Sequence, residues 1–209
     1  EFEKIGIGAF KPLKGFMDEK NFYSVVENMR LINGTIFPIP VVFAIQEEEK
    51  KKIKMLDQID LSFNEEVVGN INIEDIYKPK LEKALPRLFG TKDKDHPGYK
   101  MINSSGSYFV GGDINFIKKV SNPLSTFELS PSDVKKEKKK RGFKTLAGFQ
   151  TRNIPHRAHE FIHRMVLEKV DGLFIQPLLG KKRIGDFSPS AIMNSYKFLI
   201  NNYLPKKRV

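Results

Sequence analysis

The segment Gly148-Phe149-Gln150-Thr151-Arg152-Asn153-Ile154-Pro155-His156-Arg157-Ala158-His159-Glu160 decides how the second half of this chain folds. Phe143 to Phe149 reads as a β-strand, a polar turn follows, and the pattern then predicts a helix from Arg157 to about Val170. Asp171-Gly172 breaks that helix. Leu173-Phe174-Ile175-Gln176-Pro177-Leu178 is a second strand, largely apolar as buried parallel strands are. Ser188-Pro189 opens another helix through about Asn202. This β-loop-α-β-loop-α order implies a right-handed crossover and a parallel sheet. A strand, a polar turn and a helix start is where such folds hold phosphate groups.

The same segment carries two guanidinium groups, of which Arg152 lies in the turn, with two amide side chains, a hydroxyl and two imidazoles, and no evident nucleophile. Arg152 offers a planar fork of donors that matches a tetrahedral oxyanion. Gln150 and Asn153 can donate amide hydrogens to phosphate oxygens. His156 and His159, three apart, lie on neighbouring faces of the first helical turn, where the helix N-terminus favours anions. That set suits nucleotidyl transfer, which needs positioning and charge neutralisation more than covalent participation. His159-Glu160-Phe161-Ile162-His163 also matches H-E-x-x-H, a zinc-protease pattern. No His follows His163, and Glu168 and Asp171 are too close in sequence to be the usual third ligand. His163 is therefore read as a partly exposed helix residue. Gly180-Lys181-Lys182-Arg183-Ile184-Gly185-Asp186 follows the second strand, and its cations are either a phosphate contact or a solvated turn.

Working toward the N-terminus, Ser130-Pro131-Ser132-Asp133 is a helix start, and Val134 to Arg141 is almost entirely Lys and Glu, hence a solvated surface helix. The domain boundary is placed there, giving domains 1–135 and 136–209. The first domain reads as β-rich. Ile36 to Ile45 is expected as a strand entered through prolines. Glu66 to Ile73 is expected as a hairpin around Gly69-Asn70, and Ser107 to Ile114 as a strand ending in a glycine turn. Helices are expected over Lys20–Leu31 and Lys80–Phe89, the latter ended by Gly90.

The 209 residues suffice for one large or two small domains. No apolar run approaches the ~20 residues that span a bilayer, and Glu1-Phe2-Glu3-Lys4 does not begin a signal peptide. Cys is absent, which excludes a disulfide framework and a Cys-ligated metal, and a reducing cytoplasm is the simplest setting. The net charge of +11 is uneven: residues 1–134 hold 18 Lys and Arg against 20 Asp and Glu, while residues 135–209 hold 18 against 5. A positive potential of +13 around the signature concentrates anionic substrates, although a nucleic-acid-binding surface has the same charge signature.

Gln150-Thr151-Arg152-Asn153, followed by His156 and His159, resembles the QTRN–HxxH signature of the ATP sulfurylases (sulfate adenylyltransferases). Further similarity lies in Pro12-Leu13-Lys14-Gly15-Phe16, Asn28-Met29-Arg30-Leu31, Thr35 to Val41, Ile76-Tyr77-Lys78 and His96-Pro97-Gly98. The resemblance implies an α/β-plus-β architecture: a β-rich PUA-like domain, then the start of a Rossmann-like nucleotidyltransferase domain with parallel strands. It implies transfer of the adenylyl group of ATP to sulfate, giving adenosine 5′-phosphosulfate and pyrophosphate by in-line attack on the α-phosphorus. Arg152 would hold sulfate, Gln150 and Asn153 nucleotide phosphates, and His156 and His159 the developing charge, with Thr151 in the same loop. Mg²⁺ would arrive with ATP and no metal would be protein-bound. A homo-oligomer without membrane or nucleic-acid partners is implied. Here Ile154 separates Asn153 from Pro155, where the family more commonly has Pro directly after Asn. Family members continue to a second motif, Gly-Arg-Asp-His, so a chain stopping at Val209 is expected to be a fragment. The alternatives are an HxxH nucleotidyltransferase with another acceptor and a non-catalytic PUA-like RNA-binding protein.

Overall fold

Short extended segments gather around one long strand in the first half of the chain. The structure is a computed structural model that describes residues 1–120, 122–180 and 185–209. The chain divides into two compact units, Glu1–Pro131 and Ser132–Val209. In the first, the elements run α1 (Phe2–Gly6), β1 (Gly15–Phe16), α2 (Glu19–Asn28), β2 (Phe43–Ile45), α3 (Glu47–Ile53), β3 (Gln58–Phe63), β4 (Glu66–Asn72), β5 (Asp75–Tyr77), α4 (Leu81–Phe89), α5 (Pro97–Ser105) and β6 (Tyr108–Phe116). All strand pairs in this unit are antiparallel, and β1, β2, β4 and β5 all pair with β6. Helix α2 starts where Asp18 accepts from the Asn21 amide at 2.8 Å and ends at Met29, in the left-handed conformation. Its apolar face buries Phe22 against Phe109 and Tyr77. The Tyr77 hydroxyl donates to the Met17 carbonyl at 3.1 Å, and burial pushes that phenol's pKa up.

Three strand expectations change. β2 is only three residues long, because Pro38 and Pro40 cannot donate to a ladder; Ile36 makes an isolated bridge to Arg30 instead. Gly69-Asn70 is not a turn but the middle of β4. The reversal occurs at Asn64-Glu65, both at positive φ (48° and 66°), as a two-residue hairpin loop requires. Gly69 is there because a Cβ would strike the Asn115 carbonyl and the Phe2 ring. Likewise β6 runs straight through Gly111-Gly112, where the Asp18 and Asn72 backbones approach too closely for a side chain.

The second unit contains most of α6 (Pro131–Lys140), then β7 (Leu146–Thr151), α7 (Arg157–Leu167), β8 (Gly172–Pro177) and α8 (Pro189–Tyr203). Helix α6 buries nothing, as its Lys and Glu composition requires. β7 and β8 pair in parallel, from Leu146↔Gly172 to Thr151↔Pro177. Ser188 caps α8, accepting from the Ala191 amide at 3.2 Å, and Pro189 follows it. Side chains alternate across a strand. Ala147, Phe149, Leu173 and Ile175 therefore share one face, and they pack with Leu167 of α7 and with Ile192, Tyr196 and Leu199 of α8. Gly148 and Gln150 lie on the other face and are exposed. At the far end of α7, the Arg208 guanidinium donates to the carbonyls of Leu167, Val170 and Asp171. Asp171 in turn accepts from the Lys144 and Thr145 amides and the Thr145 hydroxyl. These contacts fix the approach to β7. No helix of the described residues is long and apolar enough to cross a membrane.

Candidate functional site

Strand β7 runs two residues further than the pattern predicts, so Gln150 and Thr151 belong to it. Beyond it the Thr151 hydroxyl accepts from the Asn153 amide at 3.2 Å, which turns the chain back toward α7. The Leu178 amide donates to the Thr151 carbonyl at 2.7 Å, carrying the parallel ladder to the strand end. His156 is the N-cap of α7 with extended backbone (φ −136°, ψ 177°), and its side chain caps nothing. The first-turn amides of α7 thus have no cap from the usual Ser, Thr, Asp or Asn hydroxyl or carboxylate. His159 stands one turn in. The two rings lie 3.9 Å apart between centroids at 30°.

Beneath them the histidines form a column. Phe149 meets His159 edge-on at 5.5 Å and His163 edge-on at 4.5 Å. His163 is fully buried, contrary to the expectation of a partly exposed residue. It falls on the face of α7 that packs on Phe149 and Tyr196, and the sequence register of α7 alone does not reveal that the sheet covers this position. Neither His163 ring nitrogen has a hydrogen-bond partner among the described residues. Burial, and then the neighbouring His159, lower its pKa from 6.5 to about 4. Burial, and then His156, lower that of His159 also. The Ile154 carbonyl opposes this second shift, although His159 Nδ1 closes no hydrogen bond. His159 therefore presents a neutral ring with one N–H donor at neutral pH. Tyr196 is pushed up by burial; the Thr151 side chain opposes it from nearby without closing a bond to the phenol.

Arg152 lies in the turn, and its Nη2 donates to Asp186 Oδ2 at 2.7 Å. Asp186 follows β8, so the loops after two adjacent parallel strands meet here. The sequence places Asp186 in the loop after the second strand, where such loops line a crevice, but singles out the cations of that run and gives Asp186 no role; its pairing with Arg152 is visible only in the fold. Lys181, Lys182 and Arg183, the cations expected in that loop, lie outside the described residues. The site residues are thus grouped unevenly. His156 and His159 are together, Arg152 is held by Asp186, Asn153 is exposed in the turn, and Gln150 sits on the strand face opposite Phe149. An open pocket of about 600 Å³ runs beside His156, lined also by Arg157, Asn194, Phe198 and Tyr203. It touches neither Gln150, Arg152 nor Asn153. Among the described residues no group of three or more His, Cys, Asp or Glu could hold a metal ion. His159 and His163 of the H-E-x-x-H match stack 6.4 Å apart between ring centroids with Phe149 against both, an arrangement of packing rather than ligation.

Comparison with known proteins bears on this geometry. Residues 1–119 match the PUA-like domain family, and residues 125–209 match the ATP-sulfurylase family. Proteins named sulfate adenylyltransferase from Pyrococcus abyssi and Thermococcus onnurineus are 38% and 37% identical over 206 residues, which is 99% of this chain. The chain belongs to the ATP sulfurylase family. It spans about half the length of the curated relatives it matches, 54% of each of these two. A further ATP sulfurylase relative, the sulfate adenylyltransferase of Halothermothrix orenii, is 33% identical over 209 residues, 99% of this chain and 55% of its own. In fold the chain is similar to a hexameric APS kinase from Thiobacillus denitrificans, with a TM-score of 0.74 and 17% identity, covering 99% of this chain and 37% of that one. The architecture expected for an ATP sulfurylase is present: an antiparallel β-rich, PUA-like first region, then helices and parallel strands.

Proposed function

We propose that this chain forms the sulfate- and phosphate-binding part of a sulfate adenylyltransferase, with residues 1–135 as a PUA-like domain and 136–209 as the nucleotidyltransferase portion. The reaction joins ATP and sulfate into adenosine 5′-phosphosulfate and pyrophosphate. A sulfate oxygen attacks the α-phosphorus, the new S–O–P bond forms, and the bond to pyrophosphate breaks in line. The observation that carries this reading is the close pair of tilted rings, His156 and His159, at the start of α7, one short turn from Arg152, in a member of this family.

Arg152 binds sulfate through its fork of donors. His156 and His159 donate to the α-phosphate and the leaving pyrophosphate, together with the α7 amides. Burial, and then His156, lower the pKa of His159, which supports a hydrogen-bonding rather than a cationic role for it. Asn153 holds nucleotide phosphate from the turn, Thr151 shapes that turn, and Gln150 serves oxygens off the open face of β7. The described residues do not fit a resident metal ion; a divalent cation, Mg²⁺ in this reading, arrives on the ATP phosphates, as is usual for that ion, and neutralises their charge. A homo-oligomer in the cytoplasm belongs to the same reading. Nothing favours another acceptor or RNA, and the PUA-like half carries no positive excess.

The test is ATP formation from adenosine 5′-phosphosulfate and pyrophosphate. Arg152→Ala is expected to lower kcat/KM by about 10²-fold or more, the scale of losing one charged oxyanion contact. Activity within about threefold of the parent would overturn the role of Arg152.

A further inference from the structure

Arg152 does not reach its place through its own backbone alone. Its guanidinium is partly exposed, with 37% of the side chain accessible, and it stands on a turn. Asp186, 34 residues later and only 19% accessible, meets Nη2 at 2.7 Å. This bond ties the loop after β7 to the loop after β8. It uses one of the five donors of the guanidinium, through Nη2, so other donors of the planar fork can take a tetrahedral oxyanion. An Arg side chain left on a turn samples many rotamers, and ordering it beforehand lowers the entropy lost when the anion binds.

We infer that Asp186 is a positioning residue: it aims the Arg152 guanidinium so that its free edge receives the oxyanion, and its charge weakens the hold on that anion. This rests on the proposed role of Arg152. The two effects of Asp186 separate by chemistry. Asp186→Asn keeps an oxygen that accepts from Nη2 and removes the repelling charge. Asp186→Ala removes both.

The experiment uses the intact protein and follows sulfate-dependent release of pyrophosphate from ATP. Asp186→Asn is expected to keep kcat within about threefold and to lower the KM for sulfate by a similar factor. Asp186→Ala is expected to lower kcat about tenfold or more. In an Arg152→Lys background, which has no fork to aim, Asp186→Ala should change kcat less than twofold, about the limit for uncoupled residues. Equal losses in Asp186→Asn and Asp186→Ala would overturn the inference, as would an undiminished effect of Asp186→Ala beside Lys at 152. If Asp186→Ala does not fold, Asp186→Asn decides: an unchanged or raised KM for sulfate overturns the inference. A folded parent protein without activity in either direction would instead remove the proposed function, and this inference with it; an active parent with an indifferent Asp186→Ala removes the inference alone.

Discussion

Replacing His163 with Leu should abolish an acid sensitivity that resides in one ring. His163 is 0% exposed, and neither nitrogen is hydrogen-bonded among the described residues. Its pKa falls from 6.5 to about 4 on folding, because burial and the adjacent His159 disfavour the charged form. Between those values the unfolded chain holds a proton at this position and the folded chain does not. Stability therefore declines as pH drops below the unfolded pKa and stops declining near the folded one. Linkage gives a loss of about 2 kcal/mol by pH 5 and about 3 kcal/mol by pH 4 relative to pH 7. Leu has nearly the volume of His and carries no polar atoms. His163→Leu should then be neutral or stabilising at pH 7, since it removes two unsatisfied nitrogens worth about 1–3 kcal/mol each, less any repacking against Phe149 and Tyr196. The assay is amide hydrogen exchange within α7 and β7, corrected for intrinsic rates, at pH 7, 5 and 4. Local readout matters because the chain has two units and a global transition need not be two-state. The reasoning fails if the parent and His163→Leu lose the same protection between pH 7 and pH 5.

Three further outcomes follow from particular contacts. Arg208→Ala should destabilise the second unit by about 1–2 kcal/mol, the scale of a partly buried cation at a helix C-terminus, because three carbonyls at the end of α7 lose their donor; thermal melts at pH 7 read it, and an unchanged Tm contradicts it. Asp171 has a pKa held below the usual carboxylate range, chiefly by the Thr145 amide and hydroxyl and also by Lys144 and Arg208. Its contribution to stability is present above the unfolded carboxylate pKa and fades as pH falls through the lowered folded value. Asp171→Asn should flatten that part of the acid limb, and a limb unchanged in shape would refute the assignment. Gly69→Ala should destabilise the first unit by about 2 kcal/mol or more, since the added methyl meets the Asn115 carbonyl and the Phe2 ring; urea unfolding that leaves the midpoint in place would show that the sheet yields more easily than its geometry indicates.

Several features were legible without coordinates because they depend on local chemistry. The strand, turn and helix around Gln150 to His159 follow from apolar periodicity and from Pro155, and the parallel pairing of β7 and β8 follows from the helix between them. The caps at Ser188 and Gly90 follow from side-chain and backbone preferences of single residues. The donor set of the signature is chemistry written in residue types, and the positive charge gathered after residue 134 needs only counting.

What only the tertiary structure decided involves residues distant in sequence. Gly69-Asn70 has the composition of a turn, yet Phe2 and Asn115, about 67 and 46 positions away, require glycine in a strand there. His163 has the polarity of a surface position, yet Phe149 and Tyr196 enclose it. Gln150 neighbours Thr151 in sequence but faces the opposite side of the sheet, because adjacent residues of a strand alternate. Arg152 gains Asp186 only because β7 and β8 end side by side. Local sequence dictates what each segment can form and which groups it offers. Burial, close backbone approach and ion pairing depend on which segment lies opposite, and that is settled only when the chain folds.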